Sequence, residues 1–130
     1  MNLLPEHQIT IRVRYQETDA QGWVHHGNYL TYFEMGRVEQ LRASNISYRQ
    51  MEEKGLFLVV AEANCQYRLP ARYDDLLVLH TQTLKAKGAR IWHEYKLWRG
   101  DELLVTGKTT LACVSDKGKV KRLPEWLLPT

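Results

Sequence analysis

Apolar and polar residues alternate along most of this chain, with β-branched and aromatic side chains at many of the apolar positions. In the first such stretch, Ile9, Ile11 and Val13 alternate with Thr10 and Arg12. A period of two predicts a strand with one buried face. The same pattern predicts five strands, at residues 9–15, 56–67, 76–85, 91–98 and 103–114. Short turns link the last four, so these strands are expected to pair antiparallel.

A different spacing fills residues 28–43, where apolar side chains recur one, three and four positions apart. This spacing predicts the one long helix of the chain. The first half of the segment is apolar on nearly every side, so the helix is expected to be surrounded by protein. Gly36 lies in its interior, where glycine costs about 1 kcal/mol relative to alanine, and close packing against a sheet would explain it. Residues 47–54 predict a second, short helix with Ser47 as its N-cap.

One long helix and one antiparallel sheet predict an α+β fold in which the sheet curls around the helix. The outer face of that sheet is expected to carry aromatic side chains as well, with Trp92, Tyr95 and Trp98 as candidates. A sheet with aromatic residues on both faces predicts a partner. We therefore expect a homodimer or a larger assembly.

The length of 130 residues fits a single domain, 1–130. Apolar residues make up 44% and charged residues 25%, which is typical of a globular protein and argues against disorder. Cys65 and Cys113 lie in strand-like apolar runs and are expected to be buried free thiols. The chain has no apolar run of about 18 residues that could span a membrane. Residues 1–8 are too short and polar for a signal peptide, so a cytoplasmic location is expected.

The net charge of +3 is mild and does not come from one basic block. Lys87 and Arg90 flank a turn, where cations are either solvated or form a docking surface for a phosphate-bearing ligand. Aromatic residues are not interleaved with the cations as a single-stranded nucleic-acid platform requires. We therefore expect no nucleic-acid partner.

The candidate chemistry lies between the first strand and the long helix. Asp19 precedes a turn at Gly22, and His26, Gly27 and Asn28 follow at the start of the helix. A helix N-terminus presents unpaired backbone N–H groups and about half a positive charge. A carboxylate beside it suits attack on a carbonyl, because one group attacks while the other holds the oxygen that becomes negative.

The strand pattern also makes a prediction about neighbouring side chains. If the chain stays extended beyond residue 15, Tyr15, Glu17 and Asp19 point to the same side. Tyr15 and Tyr29 would then either hydrogen-bond Asp19 or fill the core, and the core is favoured for Tyr29.

Taken together, these motifs resemble the 4-hydroxybenzoyl-CoA thioesterase-like branch of the hotdog-fold superfamily. The resemblance rests on three patterns: Tyr15-x-Glu17-Thr18-Asp19-x-x-Gly22-x-Val24-x-His26-x-x-Tyr29, then Tyr32-Phe33-Glu34-x-x-Arg37, and later Pro70-x-x-Tyr73-Asp74. It implies a hotdog fold, in which a five-stranded antiparallel sheet wraps around one long central helix. It also implies an acyl-CoA thioesterase that needs no metal and no cofactor.

The resemblance further implies roles for individual residues. Asp19 would attack the thioester carbonyl directly or activate a water, and the backbone N–H of His26 would polarise that carbonyl. The sites of the family lie at a dimer interface, commonly in a dimer of dimers, with coenzyme A running over the surface. The substrate-binding candidates are Tyr15, Gly22, Gly27 and Tyr29, with Lys87 and Arg90 added on charge alone for the coenzyme A phosphates.

Other interpretations stay open. Asp19 could be only a turn residue, because aspartate often precedes a glycine turn. The adjacent pair His25 and His26 could suggest a metal, although neighbours rarely chelate one ion without further ligands. A hotdog hydratase or dehydratase is a rival function, but the chain lacks a Pro-Gly-His element. A non-catalytic acyl-CoA-binding module is another, and the sequence sets neither the acyl group, aryl or fatty, nor the carrier, coenzyme A or acyl carrier protein.

Overall fold

The computed structural model describes residues 2–129, in which five strands and two α-helices form. Met1 and Thr130, the ends of the predicted domain 1–130, lie outside the described residues. In chain order the elements are β1 (Glu6–Arg12), α1 (Asn28–Ala43), α2 (Tyr48–Glu53), β2 (Phe57–Tyr67), β3 (Leu76–Lys87), β4 (Arg90–Arg99) and β5 (Glu102–Val114). Two short 3₁₀ turns occupy Tyr15–Glu17 and Glu125–Leu127.

The five strands form one antiparallel sheet in the order β1-β3-β4-β5-β2, and α1 packs against one face of it. This confirms the predicted architecture of one antiparallel sheet and one long helix. Buried and exposed residues alternate along β3, where Leu77, Leu79 and Thr81 are buried. β1 and β2 are the two edges of the sheet.

Two glycines let α1 approach the sheet closely. A Cβ on Gly36 would collide with Thr81 Oγ1 and lie 2.8 Å from Leu79 Cδ2. A Cβ on Gly107, in β5, would collide with the ring of Phe33. The predicted close packing at Gly36 is therefore confirmed, and the sheet contributes a second bare position opposite the helix.

α1 is buried on one side only. Tyr32 and Phe33 are fully buried, whereas Leu30 and Met35 are each 41% exposed. The expectation that protein surrounds the helix is wrong for a single chain, because β2 lies at the sheet edge and leaves that side of the helix open.

The outer face of the sheet carries two of the three predicted aromatic residues. Trp92 and Trp98 are partly buried there, and Lys85 Nζ lies 5.4 Å from the centroid of the Trp92 ring. Tyr95 was expected among them, but it is fully buried and stacks on Phe33 with a centroid separation of 4.2 Å. The strand alternation places Tyr95 on the face that packs against α1.

β1 ends at Arg12, earlier than the predicted residue 15. The chain then turns, because the Arg14 N–H donates to Glu17 Oε1 at 2.8 Å and the Glu17 N–H donates to the Arg14 carbonyl at 3.0 Å. The expectation that Tyr15, Glu17 and Asp19 share one side is therefore wrong. Tyr15 is 77% exposed, whereas Glu17 is only 7% exposed.

α2 begins as predicted, since the Ser47 hydroxyl caps it by accepting a 3.2 Å hydrogen bond from the Gln50 N–H. Cys113 is a buried free thiol, whereas Cys65 is only half-buried, so the predicted burial holds for one of the two. Within residues 2–129, neither helix combines the length and the apolar character needed to cross a bilayer.

Candidate active site

A tight hairpin at residues 18–24 carries Asp19. Thr18 and Val24 pair as an isolated antiparallel bridge, and the Asp19 N–H donates to the Trp23 carbonyl at 2.7 Å. Gly22 reverses the chain with a φ of +85°, a left-handed conformation that glycine adopts without steric cost. The hairpin thus has the backbone that the glycine signal predicted.

The Asp19 carboxylate is held by its own hairpin. Oδ1 accepts hydrogen bonds from the N–H groups of Gln21 at 2.9 Å and Trp23 at 3.3 Å, as in an Asx turn. Among residues 2–129, Oδ2 has no hydrogen-bond or ion-pair partner. One oxygen therefore stabilises the turn while the other is available to a ligand.

The turn that leads into α1, residues 25–28, has one unpaired backbone donor. The His25 N–H donates to the Glu17 carbonyl and the Asn28 N–H to the His25 carbonyl, both at 2.9 Å, and the Gly27 N–H donates to His25 Nδ1 at 3.0 Å. In the described part of the chain, no group accepts a hydrogen bond from the His26 N–H. A free N–H at a helix start is electropositive and can accept an anionic or polarised oxygen.

Glu17 fastens the hairpin to α1. Its Oε1 accepts a 2.8 Å hydrogen bond from Tyr32 Oη, and its Oε2 lies 3.1 Å from Arg14 Nη2. Its backbone carbonyl accepts from Asn28 Nδ2 at 2.8 Å. Burial and then the neighbouring carboxylate raise the pKa of Tyr32, so its hydroxyl keeps the proton that it donates.

Asp19 and His26 line one open cavity of about 330 Å³. Tyr29 also lines it, but Tyr29 Oη accepts a 3.1 Å hydrogen bond from the Ala71 N–H, so this tyrosine belongs to the core as favoured. Burial raises the pKa of Tyr29. The other lining residues are Gln21, Trp23, Val24, Tyr67, Arg68, Leu69 and Pro70.

Of the six predicted substrate-binding residues, only Tyr29 lies in the cavity wall. Tyr15 is exposed and packs edge-on against Tyr73 with a centroid separation of 5.6 Å. Among the described residues it makes no hydrogen bond to Asp19. Gly22 lies in the hairpin turn and Gly27 is the N-cap of α1, and neither contributes to the cavity surface.

Lys87 and Arg90 lie at the far end of the sheet, where they pair across the β3–β4 hairpin. Tyr67, in the cavity wall, pairs with Val105, which also pairs with Leu97. The segment of β4 from Arg90 to Leu97 therefore separates the hairpin from the cavity by about 20 Å, at about 3.3 Å per residue. The structure does not bring these two cations to Asp19 within one chain.

Sequence reasoning did not select one whole wall of the cavity, formed by residues 67–70. The only local signal was Pro70, which breaks the strand pattern and belongs to one of the family-like motifs. The hydrogen bond that links this wall to the turn before α1 is long-range. Tyr67 Oη donates it to the His26 carbonyl, 41 positions away, at 3.2 Å. Periodicity along the chain carries no such information.

The histidine pair at the helix start is stacked, with ring centroids 4.2 Å apart. His25 Nδ1 is already engaged by the Gly27 N–H. Within residues 2–129, no three His, Cys, Asp or Glu side chains are arranged to hold a metal ion.

Comparison with known proteins decides the family. Residues 13–129 match the family model of the thioesterase-like superfamily, a range that contains the hairpin, the start of α1 and the whole cavity wall. The chain belongs to the thioesterase-like superfamily. The predicted hotdog fold and the predicted enzyme class, thioester hydrolase, are thereby confirmed.

Relatives of this thioesterase-like chain cover most of its length. It is 40% identical over 112 residues to the acyl-CoA thioesterase YbgC of Haemophilus influenzae. The matched region covers 85% of this chain and 82% of the relative. It is 29% identical over 111 residues to the acyl-CoA thioester hydrolase YbgC of Escherichia coli O6:H1, with coverages of 85% and 83%. The crystal structure of DHNA-CoA thioesterase from Staphylococcus aureus matches with a TM-score of 0.87 and 32% identity, over 91% of this chain and 80% of that one.

Proposed function

We propose that the chain hydrolyses acyl-CoA thioesters to a free carboxylic acid and coenzyme A. The observation that carries the proposal is the shared cavity of Asp19 and His26, in which a carboxylate with one free oxygen accompanies an unpaired backbone N–H. The names of the relatives support the choice of an acyl-CoA substrate.

In this proposal Asp19 Oδ2 acts in one of two ways. As a nucleophile it attacks the thioester carbonyl carbon, the C–S bond breaks to release the thiolate, and water hydrolyses the resulting mixed anhydride. As a general base it takes a proton from a water that attacks the same carbon. In both routes the carbonyl oxygen becomes negative, and the His26 N–H is the donor that stabilises it. A thiolate leaves readily, so neither route needs a general acid.

The walls of the cavity suggest how a substrate lies in it. Trp23, Tyr29 and Leu69 offer aromatic and apolar surface to an acyl group. Arg68 lies in the same wall, is exposed, and has no ion-pair partner among residues 2–129, so it is available to an anionic part of the substrate.

We also propose a homodimer, and a dimer of dimers as its larger assembly. β2 is an edge strand with unpaired backbone groups, and Val59 and Val60 on it are 43% and 52% exposed. Together with the open apolar side of α1, this edge suits a second copy of the chain. Lys87 and Arg90 remain candidates for the coenzyme A phosphates only if that copy brings them to the cavity.

The free thiols Cys65 and Cys113 agree with a reducing compartment, so the cytoplasm is the proposed location. An acyl carrier protein is the alternative carrier. Its thioester shares the reacting carbonyl and the pantetheine arm of an acyl-CoA but lacks the adenine nucleotide, so the two carriers can be compared directly.

The deciding experiment measures thiol release from a panel of aryl-CoA, fatty acyl-CoA and acyl carrier protein thioesters. Asp19→Asn is the informative variant, because an asparagine Oδ1 can still accept from Gln21 and Trp23 and keep the turn. We expect kcat to fall by about 100-fold to 10,000-fold, because the attacking or proton-accepting carboxylate is lost, with unchanged folding and assembly size. Asp116→Asn, at an exposed turn, is the matched control. Full activity in Asp19→Asn would refute the assignment.

The same panel separates the rival functions. A hydratase would change the absorbance of an enoyl-CoA without releasing thiol. A binding module would retain acyl-CoA, as measured by calorimetry, without consuming it. Either result would replace the hydrolase proposal.

A further inference from the structure

Tyr67 is the last residue of β2 and stands beside the start of α1. It is 51% exposed and lines the cavity together with Asp19 and His26. Its ring is tilted against that of Tyr29, with a centroid separation of 5.5 Å, and stands edge-on to that of His26 at 6.5 Å. Its hydroxyl donates to the His26 carbonyl at 3.2 Å. Tyr67 therefore joins the edge strand β2 to the turn before α1.

That contact completes a set of restraints on two consecutive peptide groups. The peptide between residues 26 and 27 is held at its carbonyl by Tyr67 and at its N–H by His25 Nδ1. The peptide between residues 25 and 26 carries the His26 N–H. Its carbonyl, that of His25, accepts from the Asn28 N–H. Among the described residues, the His26 N–H is the one backbone donor of residues 25–28 without an acceptor. Its direction is thus set by its restrained neighbours.

The hydroxyl of Tyr67 is a dependable donor. Partial loss of hydration, followed by the neighbouring Cys65 thiol, raises the pKa of Tyr67 to about 12. The proton therefore stays on the phenol throughout the physiological range. A phenylalanine at this position would keep the ring contacts and lose the interactions of the hydroxyl, which are the hydrogen bond to the His26 carbonyl and the contact with the Cys65 thiol.

We propose that Tyr67 is a positioning residue for thioester hydrolysis: its hydroxyl fixes the 26–27 peptide and so keeps the His26 N–H directed at the thioester carbonyl. The inference rests on the proposed function and deepens it. Removing an oxyanion donor outright costs about 100-fold to 1,000-fold in kcat. Loosening a donor that is still present costs less, and we expect about 5-fold to 30-fold.

The first test compares Tyr67→Phe with the wild-type chain. We expect kcat to fall by about 5-fold to 30-fold while KM and the urea midpoint of unfolding stay the same, because the lost interaction matters in the transition state. Tyr48→Phe is the control, since Tyr48 Oη makes a comparable 3.1 Å hydrogen bond to the Leu58 carbonyl outside the cavity wall. An unchanged kcat in Tyr67→Phe, or an equal loss in Tyr48→Phe, would overturn the inference.

A second measurement does not depend on turnover. Hydrogen exchange of the Gly27 amide, followed by NMR, should be several-fold faster in Tyr67→Phe, because the peptide it belongs to has lost one of its two restraints. Unchanged exchange would show that Tyr67 does not hold the turn. If the wild-type chain releases no thiol from any thioester, the proposed function fails, whereas hydrolysis with an unchanged kcat in Tyr67→Phe rejects only the role of Tyr67.

Discussion

The buried carboxylate of Glu17 accepts a 2.8 Å hydrogen bond from the hydroxyl of Tyr32, one turn inside the long helix. Through this contact the segment that carries Asp19 is attached to the helix whose start carries His26. A side chain that takes part in neither proposed step therefore ties the hairpin of the proposed acid to the helix that follows the proposed oxyanion donor.

Glu17→Gln should lower the free energy of unfolding by about 1–3 kcal/mol, because a neutral amide loses the charge-assisted contact with Arg14 and turns an N–H group towards donors. Urea denaturation measures the change. Glu53→Gln is the control, since its ion pair with Arg49 is exposed and should contribute less than about 0.5 kcal/mol. Equal effects in the two variants would contradict the anchoring role of Glu17.

The stability of the chain should depend on pH through His93. Burial and then the charge of Arg37 lower the pKa of His93 to about 3, against about 6.5 in an unfolded chain. Between these values the unfolded state binds a proton that the folded state does not. The free energy of unfolding should therefore fall on acidification from about pH 6.5 towards pH 3, by up to about 1.4 kcal/mol per pH unit.

His93→Leu removes the titrating group and should flatten that slope in urea titrations at several pH values. His80→Leu is the control, because His80 lies exposed on the outer side of β3. An identical pH slope in the wild-type chain and in His93→Leu would mean that other groups account for the acid sensitivity.

Gly107→Ala should destabilise the fold by about 1–3 kcal/mol, because the added methyl group enters the space of the Phe33 ring. Thermal or urea unfolding gives the value. To test whether the Phe33 ring is the cause, Gly107→Ala is also made in a Phe33→Leu background. Without the ring, the destabilisation by the extra methyl group should be smaller. A cost that is the same in both backgrounds would place the strain elsewhere, for instance at the Asn64 carbonyl 3.1 Å away.

The cations near the substrate can be ranked by kinetics. Arg68→Gln should raise KM for an acyl-CoA about 3-fold to 10-fold with little change in kcat, because the proposed contact is to an anionic group remote from the reacting carbon. An acyl-N-acetylcysteamine thioester, which has no phosphates, should show no such change. If the double variant of Lys87→Gln and Arg90→Gln raises KM instead, the phosphates lie at the β3–β4 hairpin of a second copy.

The proposed dimer can be disrupted at the edge of the sheet. Val60→Lys places a charge on the exposed side of β2 and should shift the assembly towards monomers in light scattering. Val120→Lys is the control, because Val120 is 74% exposed but lies outside the strands of the sheet. A monomeric wild-type chain, or a variant of unchanged size, would refute an interface along β2.

Local pattern was sufficient to predict the helices and strands and the candidate residues Asp19 and His26, which the fold brings to one cavity. The bounds of α1 were predicted to the residue, and the positions of Gly22, Asp19 and His26 around a turn and a helix start came from residue type and spacing. The first strand was expected to reach residue 15 but ends at Arg12, because alternation continues in the sequence while the Glu17 carboxylate accepts from the Arg14 N–H and closes a turn. A side chain that competes for backbone hydrogen bonds leaves no trace in periodicity.

The long-range contacts were beyond such reasoning. Tyr67 reads as an ordinary strand residue, and its role arises only because β2 ends where α1 starts. Lys87 and Arg90 were chosen by charge alone, and charge gives no distance. Physical arguments from a sequence are thus strongest where the partners are neighbours in the chain.

Residues 68–70, which continue the cavity wall beyond Tyr67, are attached differently from the hairpin that faces them. The N–H groups of Arg68 and Leu69 donate to the Leu104 carbonyl, and the Pro70 carbonyl accepts from Arg99, so backbone contacts hold this wall in place. The side chains of residues 68–70 can be replaced without changing the hydrogen bonds that hold Asp19 and His26. Substitutions at position 69 should therefore change which acyl groups the cavity accepts, while Asp19 and His26 keep their positions.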